Sequence, residues 1–203
     1  MLISRSNQII CLFIIVFLII NPYSKRLVYD YGKAINHIKL PDLFHHEKIN
    51  LKHLSPLNDM MAGIILLYTL YHMLISKNIL PNDVLLFAKY LIIAKIIKMI
   101  LMTVTVLPDA SGQCNIYDKL QNPLKFYFMS GCNDLVFSFH MAVVLFCVYF
   151  LFKNGIISKT TGITLSVIQA ILILTTQNHY TLDVLLAFII VPYIVSGKYH
   201  IFA

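Results

Sequence analysis

Apolar residues gather in six runs along the chain, at 9–20, 60–75, 84–107, 135–152, 163–174 and 181–195. Segments rich in Lys, Asn, Asp, Gly and Pro separate them. None of the runs alternates strictly between apolar and polar positions, so the pattern is not that of barrel strands. Uninterrupted apolar runs of this kind predict helices, because in lipid only helices and closed barrels satisfy every backbone group. The expected fold class is therefore all-α: six transmembrane helices in one bundle, a single membrane domain over 1–203. Asn21-Pro22 is expected to end the first helix, Pro81-Asn82-Asp83 to open the third and Pro108-Asp109 to close it. Lys153-Asn154-Gly155 and Ser196-Gly197-Lys198 mark the ends of the fourth and sixth. The first run is short and follows Arg5, as in a signal peptide, but no small-residue cleavage site comes after it. It is read as a retained helix.

Two connections stand out by length and polarity, 21–59 and 108–134. With six spans, alternation puts both of them, and the turn between the fifth and sixth spans, on one side of the membrane. His140 at the start of span four, and His179 and Asp183 at the start of span six, then share that side. The chemistry is expected there, because the other side holds only short turns and the termini. Lys and Arg are spread over both sides, so the positive-inside rule assigns no orientation.

Composition agrees with the pattern. The chain has 203 residues, of which 59% are hydrophobic and 12% charged, and its mean hydropathy is +0.77. Soluble domains carry about 25% charged residues. At about 20 residues per span, no room remains for a separate soluble domain. The net charge of +7 sits mostly in loops and span ends, where anionic head groups lie. No basic helix or aromatic-interleaved patch points to nucleic acid. Of the four cysteines, Cys11 and Cys147 lie in apolar runs as small hydrophobes, while Cys114 and Cys132 bracket one loop. Zinc-type Cys/His spacing is absent, so no metal and no cofactor is expected.

Ionisable residues within apolar runs are costly and point to function. His179 and Asp183 are spaced i, i+4, which on a helix puts them on one face, one turn apart. A carboxylate beside an imidazole fixes its tautomer. His140 supplies a second imidazole at matching depth. Two histidines and an aspartate suit phosphoester chemistry: one imidazole attacks phosphorus, and the other protonates the leaving oxygen and later deprotonates the incoming hydroxyl. A nearby Lys or Arg would offset phosphate charge. For His72, alone in the second run, a packing role is the expectation.

The segment His179-Tyr180-Thr181-Leu182-Asp183-Val184 is similar to the C-terminal signature of the sphingomyelin synthases and inositol-phosphorylceramide synthases, within the lipid phosphate phosphatase superfamily. Cys132-Asn133-Asp134-Leu135-Val136-Phe137-Ser138-Phe139-His140 resembles their first histidine motif. Leu40-Pro41-Asp42, with His45 and a later Asp59, resembles their first-loop motif, and Lys98 falls where they usually carry arginine. The likeness runs over roughly 40–195. It implies transfer of a phosphorylated head group (choline, ethanolamine or inositol) from a glycerophospholipid to ceramide, releasing diacylglycerol. By the same resemblance His179 is the nucleophile, Asp183 orients it, and His140 is general acid and then base. Lys98, Asp42, Ser138, Asp134 and Tyr180 are expected to bind substrate or phosphate. The resemblance places the site on the lumenal or extracellular face, where a Cys114–Cys132 disulfide is permitted. Closing that loop would contribute about 3 kcal/mol. Phe139 and Asn133 depart from the family, which has glycine at both positions, and a Phe139 side chain is expected to crowd the phosphate. The alternatives are a lipid phosphate phosphatase of the same superfamily and a lipid-binding relative without activity.

Overall fold

The computed structural model describes residues 5–35, 40–42, 44, 51–75, 81–110 and 135–196, and all regular structure among them is helical. The N-terminal run does not stop at Asn21-Pro22. Helix α1 (Arg5–Ile14) passes through a π-helical stretch, Ile15–Ile20, into α2 (Asn21–Gly32) as one rod. The expected long connection from residue 21 thus opens as helix. The reason is local: the ring of Pro22 has no N–H to give to the preceding turn. The wider π ladder ends just before it, and Pro22 takes a position at the start of α2, where a donor is not needed.

Helix α3 (Ser55–Ile75) follows a 3-10 turn at Lys52–Leu54 and begins five residues before its apolar run. Ser55-Pro56 starts it, a polar residue and then a proline, as helix entries favour. Asp59, expected in the polar connection, therefore lies on this helix. Helix α4 is Pro81–Val104. Helix α5 (Phe139–Lys153) begins only after a bent, non-helical segment, 135–138, and is capped by Ser138, whose side chain accepts from Met141 N at 3.4 Å. Helix α6 (Lys159–Thr175) starts earlier than its apolar run because Ser158 caps it, accepting from Thr161 N at 3.1 Å. Helix α7 (Thr181–Val195) has the bounds expected from sequence.

Polar contacts between helix ends give the topology. Leu51 N donates to Thr175 O at 3.2 Å, Ser55 and Asn178 share side-chain hydrogen bonds at 2.9 and 3.1 Å, and Tyr180 Oη donates to Pro108 O at 3.2 Å. These join the start of α3, the end of α4, the end of α6 and the start of α7 at one end of the bundle. At the other end Lys153 Nζ meets Asp83 Oδ1 at 2.9 Å, linking the end of α5 to the start of α4. From α3 to α7 the helices alternate up and down, as the loop parity requires.

Helix α5 is the centre and touches α3, α4, α6 and α7. Met141, Val144, Phe146 and Cys147 are fully buried in that core. A smaller cluster of Val16, Val28, Ile92, Met99 and Met102 seats the N-terminal rod on α4. The outward faces are apolar as well. Met60, Ile64, Leu67, Tyr71 and Leu74 form an exposed stripe on α3, and Ile163, Val167 and Ile171 form another on α6. Spacing of three and four residues is that of one helix face. The stretch Lys52–Ile75 is long and apolar enough to cross a membrane, while α5, α6 and α7 are apolar but shorter. At about 1.5 Å per residue they fall short of a core about 30 Å thick.

Candidate active site

Helix α6 ends in a backbone reversal that delivers His179. Gln177 adopts φ +56°, Gln177 N donates to Leu174 O at 3.1 Å, and Asn178 N donates to Ile173 O at 3.3 Å. This is the left-handed termination that glycine usually serves, and Gly155 (φ +69°) does serve it at the end of α5. At the end that carries the histidines a glutamine takes the less favoured conformation.

His179 precedes α7 and does not lie on it. The expectation that His179 and Asp183 stack on one helical face is corrected: a capping turn brings them together. Asp183, in the first turn of α7, reaches back to the N-cap. Its Oδ2 accepts from Tyr180 N at 3.0 Å and lies 3.1 Å from His179 Nδ1. A carboxylate at a helix N-terminus also has the helix dipole in its favour. Its other oxygen accepts from Val136 N at 3.0 Å, and its backbone carbonyl accepts from Ser138 N at 3.1 Å. Val136 has φ +75°, which is rare for a β-branched residue. Asp183 thus holds three things at once: the histidine, its own helix cap and the strained segment leading to His140. The side chains of His179 and Asp183 are 7% and 0% exposed.

His140, the second residue of α5, sits across from His179, with ring centroids 6.4 Å apart and planes inclined at 63°. Its Nε2 lies 3.4 Å from Asp59 Oδ1. These two side chains are 51% and 62% exposed, unlike the buried pair. The site therefore contains two histidine–aspartate pairs facing each other. In the sequence Asp59 stands out only as part of a loop motif. The signal that places it was Ser55-Pro56, which starts the helix four residues earlier.

The other expected site residues are placed as follows. Asp42 accepts from Thr181 N at 2.7 Å, from Thr181 Oγ1 at 2.8 Å and from Phe44 N at 3.0 Å. It ties the first connection to the start of α7, as a cap does. Ser138 is fully buried as the cap of α5. Tyr180 is buried with its hydroxyl on Pro108 O. Burial, then the charges of Asp109, Asp183 and Asp42, push its phenol up to about 12, so it stays a donor at neutral pH. Lys98 is buried in α4, one turn from Lys95, which is buried too. Phe139 does not turn toward the histidines. Its ring lies 6.0 Å from that of Phe17, and Lys95 Nζ is 4.6 Å from its centroid. It packs on the α4 side of α5, while His140 faces α3 and α7. Asp134, Asn133, His45, Cys114 and Cys132, with the disulfide expected between the last two, lie outside the described residues.

Among the described residues no group of three or more His, Cys, Asp or Glu side chains is arranged to hold a metal ion. A cavity of about 470 Å³ opens between α5, α6 and α7 at the far end, lined by Leu145, Val148, Phe152, Gly162, Phe188 and others. It is nearly all apolar and remote from the histidines.

The arrangement suits in-line displacement at phosphorus. Asp183, as acceptor, keeps the proton on His179 Nδ1 and leaves the Nε2 lone pair to attack. His140, half exposed, has access to proton exchange with a substrate. Residues 131–201 match the family model described as PAP2 superfamily C-terminal. That stretch contains His140, His179 and Asp183. The match supports the lipid phosphate phosphatase superfamily and chemistry of the phosphatase or phosphotransferase type. No curated protein matches the chain.

Proposed function

We propose that this chain is a membrane-embedded enzyme that moves a phosphorylated head group from a glycerophospholipid to a ceramide-type hydroxyl. The observation that carries the reading is the pair of facing histidines, each with its own carboxylate. In the first half-reaction His179 Nε2 attacks phosphorus and the bond to the diacylglycerol oxygen breaks. His140 gives that oxygen its proton, so diacylglycerol leaves and the head-group phosphate stays on His179. In the second, His140 takes the proton of the acceptor hydroxyl, whose oxygen attacks phosphorus as the N–P bond breaks. Asp183 fixes the tautomer of the nucleophile and Asp59 orients the acid and base, each acting through its histidine.

The apolar stripes on the outer faces of α3 and α6 support a lipid-facing bundle. Six spans, membrane lipids as the binding partners and a site on the lumenal or extracellular face belong to the same proposal. Lys98, buried on α4, is the proposed counter-charge to phosphate.

The test uses the protein in vesicles with fluorescent ceramide and, in turn, phosphatidylcholine, phosphatidylethanolamine and phosphatidylinositol. A phosphosphingolipid product that disappears with His179→Ala supports the transferase. Dephosphorylated lipid as sole product shifts the assignment to hydrolysis, in which water accepts the phosphoryl group. No turnover with any donor identifies a non-catalytic lipid-binding relative.

A further inference from the structure

The buried face of α3 carries a polar chain that packing alone does not call for. Asn58 and Gln169 are both fully buried, one on α3 and one on α6. Gln169 Nε2 makes a short hydrogen bond to Asn58 Oδ1 and a longer one, 3.4 Å, to Asn58 O. Asn58 Nδ2 lies 3.5 Å from Asp59 Oδ1, the oxygen that also faces His140 Nε2. Gln169 Oε1 is buried without a partner among the described residues. Such an orphan acceptor is unfavourable, so it calls for an explanation.

The direction of the chain supplies one. Asp59 as a carboxylate only accepts, so Asn58 must turn its NH2 toward it. That turns Asn58 Oδ1 toward α6, and Gln169 must then present its own NH2. The orphaned Oε1 is where this sequence of donors ends. Reversing either amide would set oxygen against oxygen. Every donor in the chain therefore points at Asp59, from the core of α6 through α3 to the site. Ser55–Asn178 and Leu51–Thr175 fasten the start of α3 and the chain just before it to the end of α6 and the segment ahead of His179.

We infer that Asn58 and Gln169 are positioning residues: they hold Asp59 as the acceptor for His140 Nε2–H and so fix the orientation of the acid–base histidine. This rests on the function proposed above for His140, but it has a readout that needs no turnover. Protein labelled with 15N-histidine and held in bilayers reports which ring nitrogen of His140 carries a hydrogen-bonded proton. In the wild type that nitrogen is Nε2, whereas in His179 it is Nδ1, which faces Asp183. The Gln169→Met variant, close in volume and without the donor, loses the hydrogen-bond signature at His140 and keeps the one at His179. Asn58→Ser, a smaller cut in the same chain, is read the same way if Gln169→Met fails to fold. A wild-type His140 without a bonded Nε2–H overturns the inference outright, as does a signature unchanged in a folded variant.

Kinetics add a second readout. Gln169→Met lowers kcat about tenfold with KM within about twofold. In an Asp59→Asn background the same substitution changes kcat by less than about twofold, because its route to His140 is already cut. Equal losses in both backgrounds would mark a structural role and overturn the inference. A protein with an intact His140 signature but no turnover would leave the positioning chain standing and refute the transferase reading.

Discussion

The two halves of the site use the same pair of residue types in opposite settings. His179 and Asp183 are buried, and the carboxylate is held by backbone donors from its own helix cap and from the segment before α5. His140 and Asp59 are half exposed and 3.4 Å apart, with the Asn58 side chain 3.5 Å from the carboxylate. The contrast matches the tasks. A nucleophile must present one nitrogen along a fixed line, and misplacement by about 1 Å can cost two orders of magnitude. A general acid and base must exchange protons with two different oxygens, which requires access and some freedom.

Breaking the two halves has unequal effects. Asp183→Asn is the most severe change. It removes the charge beside His179 and puts an NH2 where Val136 N–H or Tyr180 N–H now donates. Transfer activity is expected to fall by about 10⁴-fold, by analogy with a mis-set histidine tautomer, and the melting temperature also falls. Asp59→Asn leaves the nucleophile intact and lowers kcat about 10–100-fold, with a melting temperature near that of the wild type. Equal losses from these two variants would contradict the division of labour. Asp42→Ala opens the bond between the first connection and the start of α7. The lost cap destabilises by about 1 kcal/mol, seen as a lower unfolding midpoint in detergent, and activity falls in proportion to the loss of folded protein. Gly155→Ala, at the far end of α5, strains a left-handed turn and costs about 1 kcal/mol, with kcat unchanged. A drop in kcat there would mean that the two ends of the bundle are coupled.

The same contrast explains what the sequence revealed. Asp183 and His179 were legible because they sit at the edge of an apolar run, where charges are conspicuous. The start of α7 was legible for the same reason, since the polar stretch 175–179 soon gives way to an apolar run broken near its start only by Asp183. The way the two residues meet was not. Helical spacing of i, i+4 suggested a shared face, but Tyr180 takes the N-cap and His179 falls outside the helix. Asp59 was hidden among the polar residues of 21–59, because hydrophobic periodicity starts only at Met60 although the helix starts at Ser55. The N-terminal rod was hidden by Asn21-Pro22, which reads as a stop unless a π turn absorbs the missing donor. Phe139 was expected to crowd the site from its place in the motif. Its ring instead packs between Phe17 and Lys95, partners on helices that no local pattern pairs with it.

The central claim is that phosphorus is carried by His179 while His140 moves protons. An activated donor, an aryl phosphodiester such as nitrophenyl phosphocholine, needs no acid to release its leaving group. With His140→Gln, the first half-reaction should then proceed and the second should stall for want of a base. Mass spectrometry of the quenched, proteolysed variant is predicted to find the head-group phosphate on His179, formed in step with one equivalent of nitrophenolate. Phosphate on any other residue, or steady nitrophenolate release with His179 unmodified, would contradict the account.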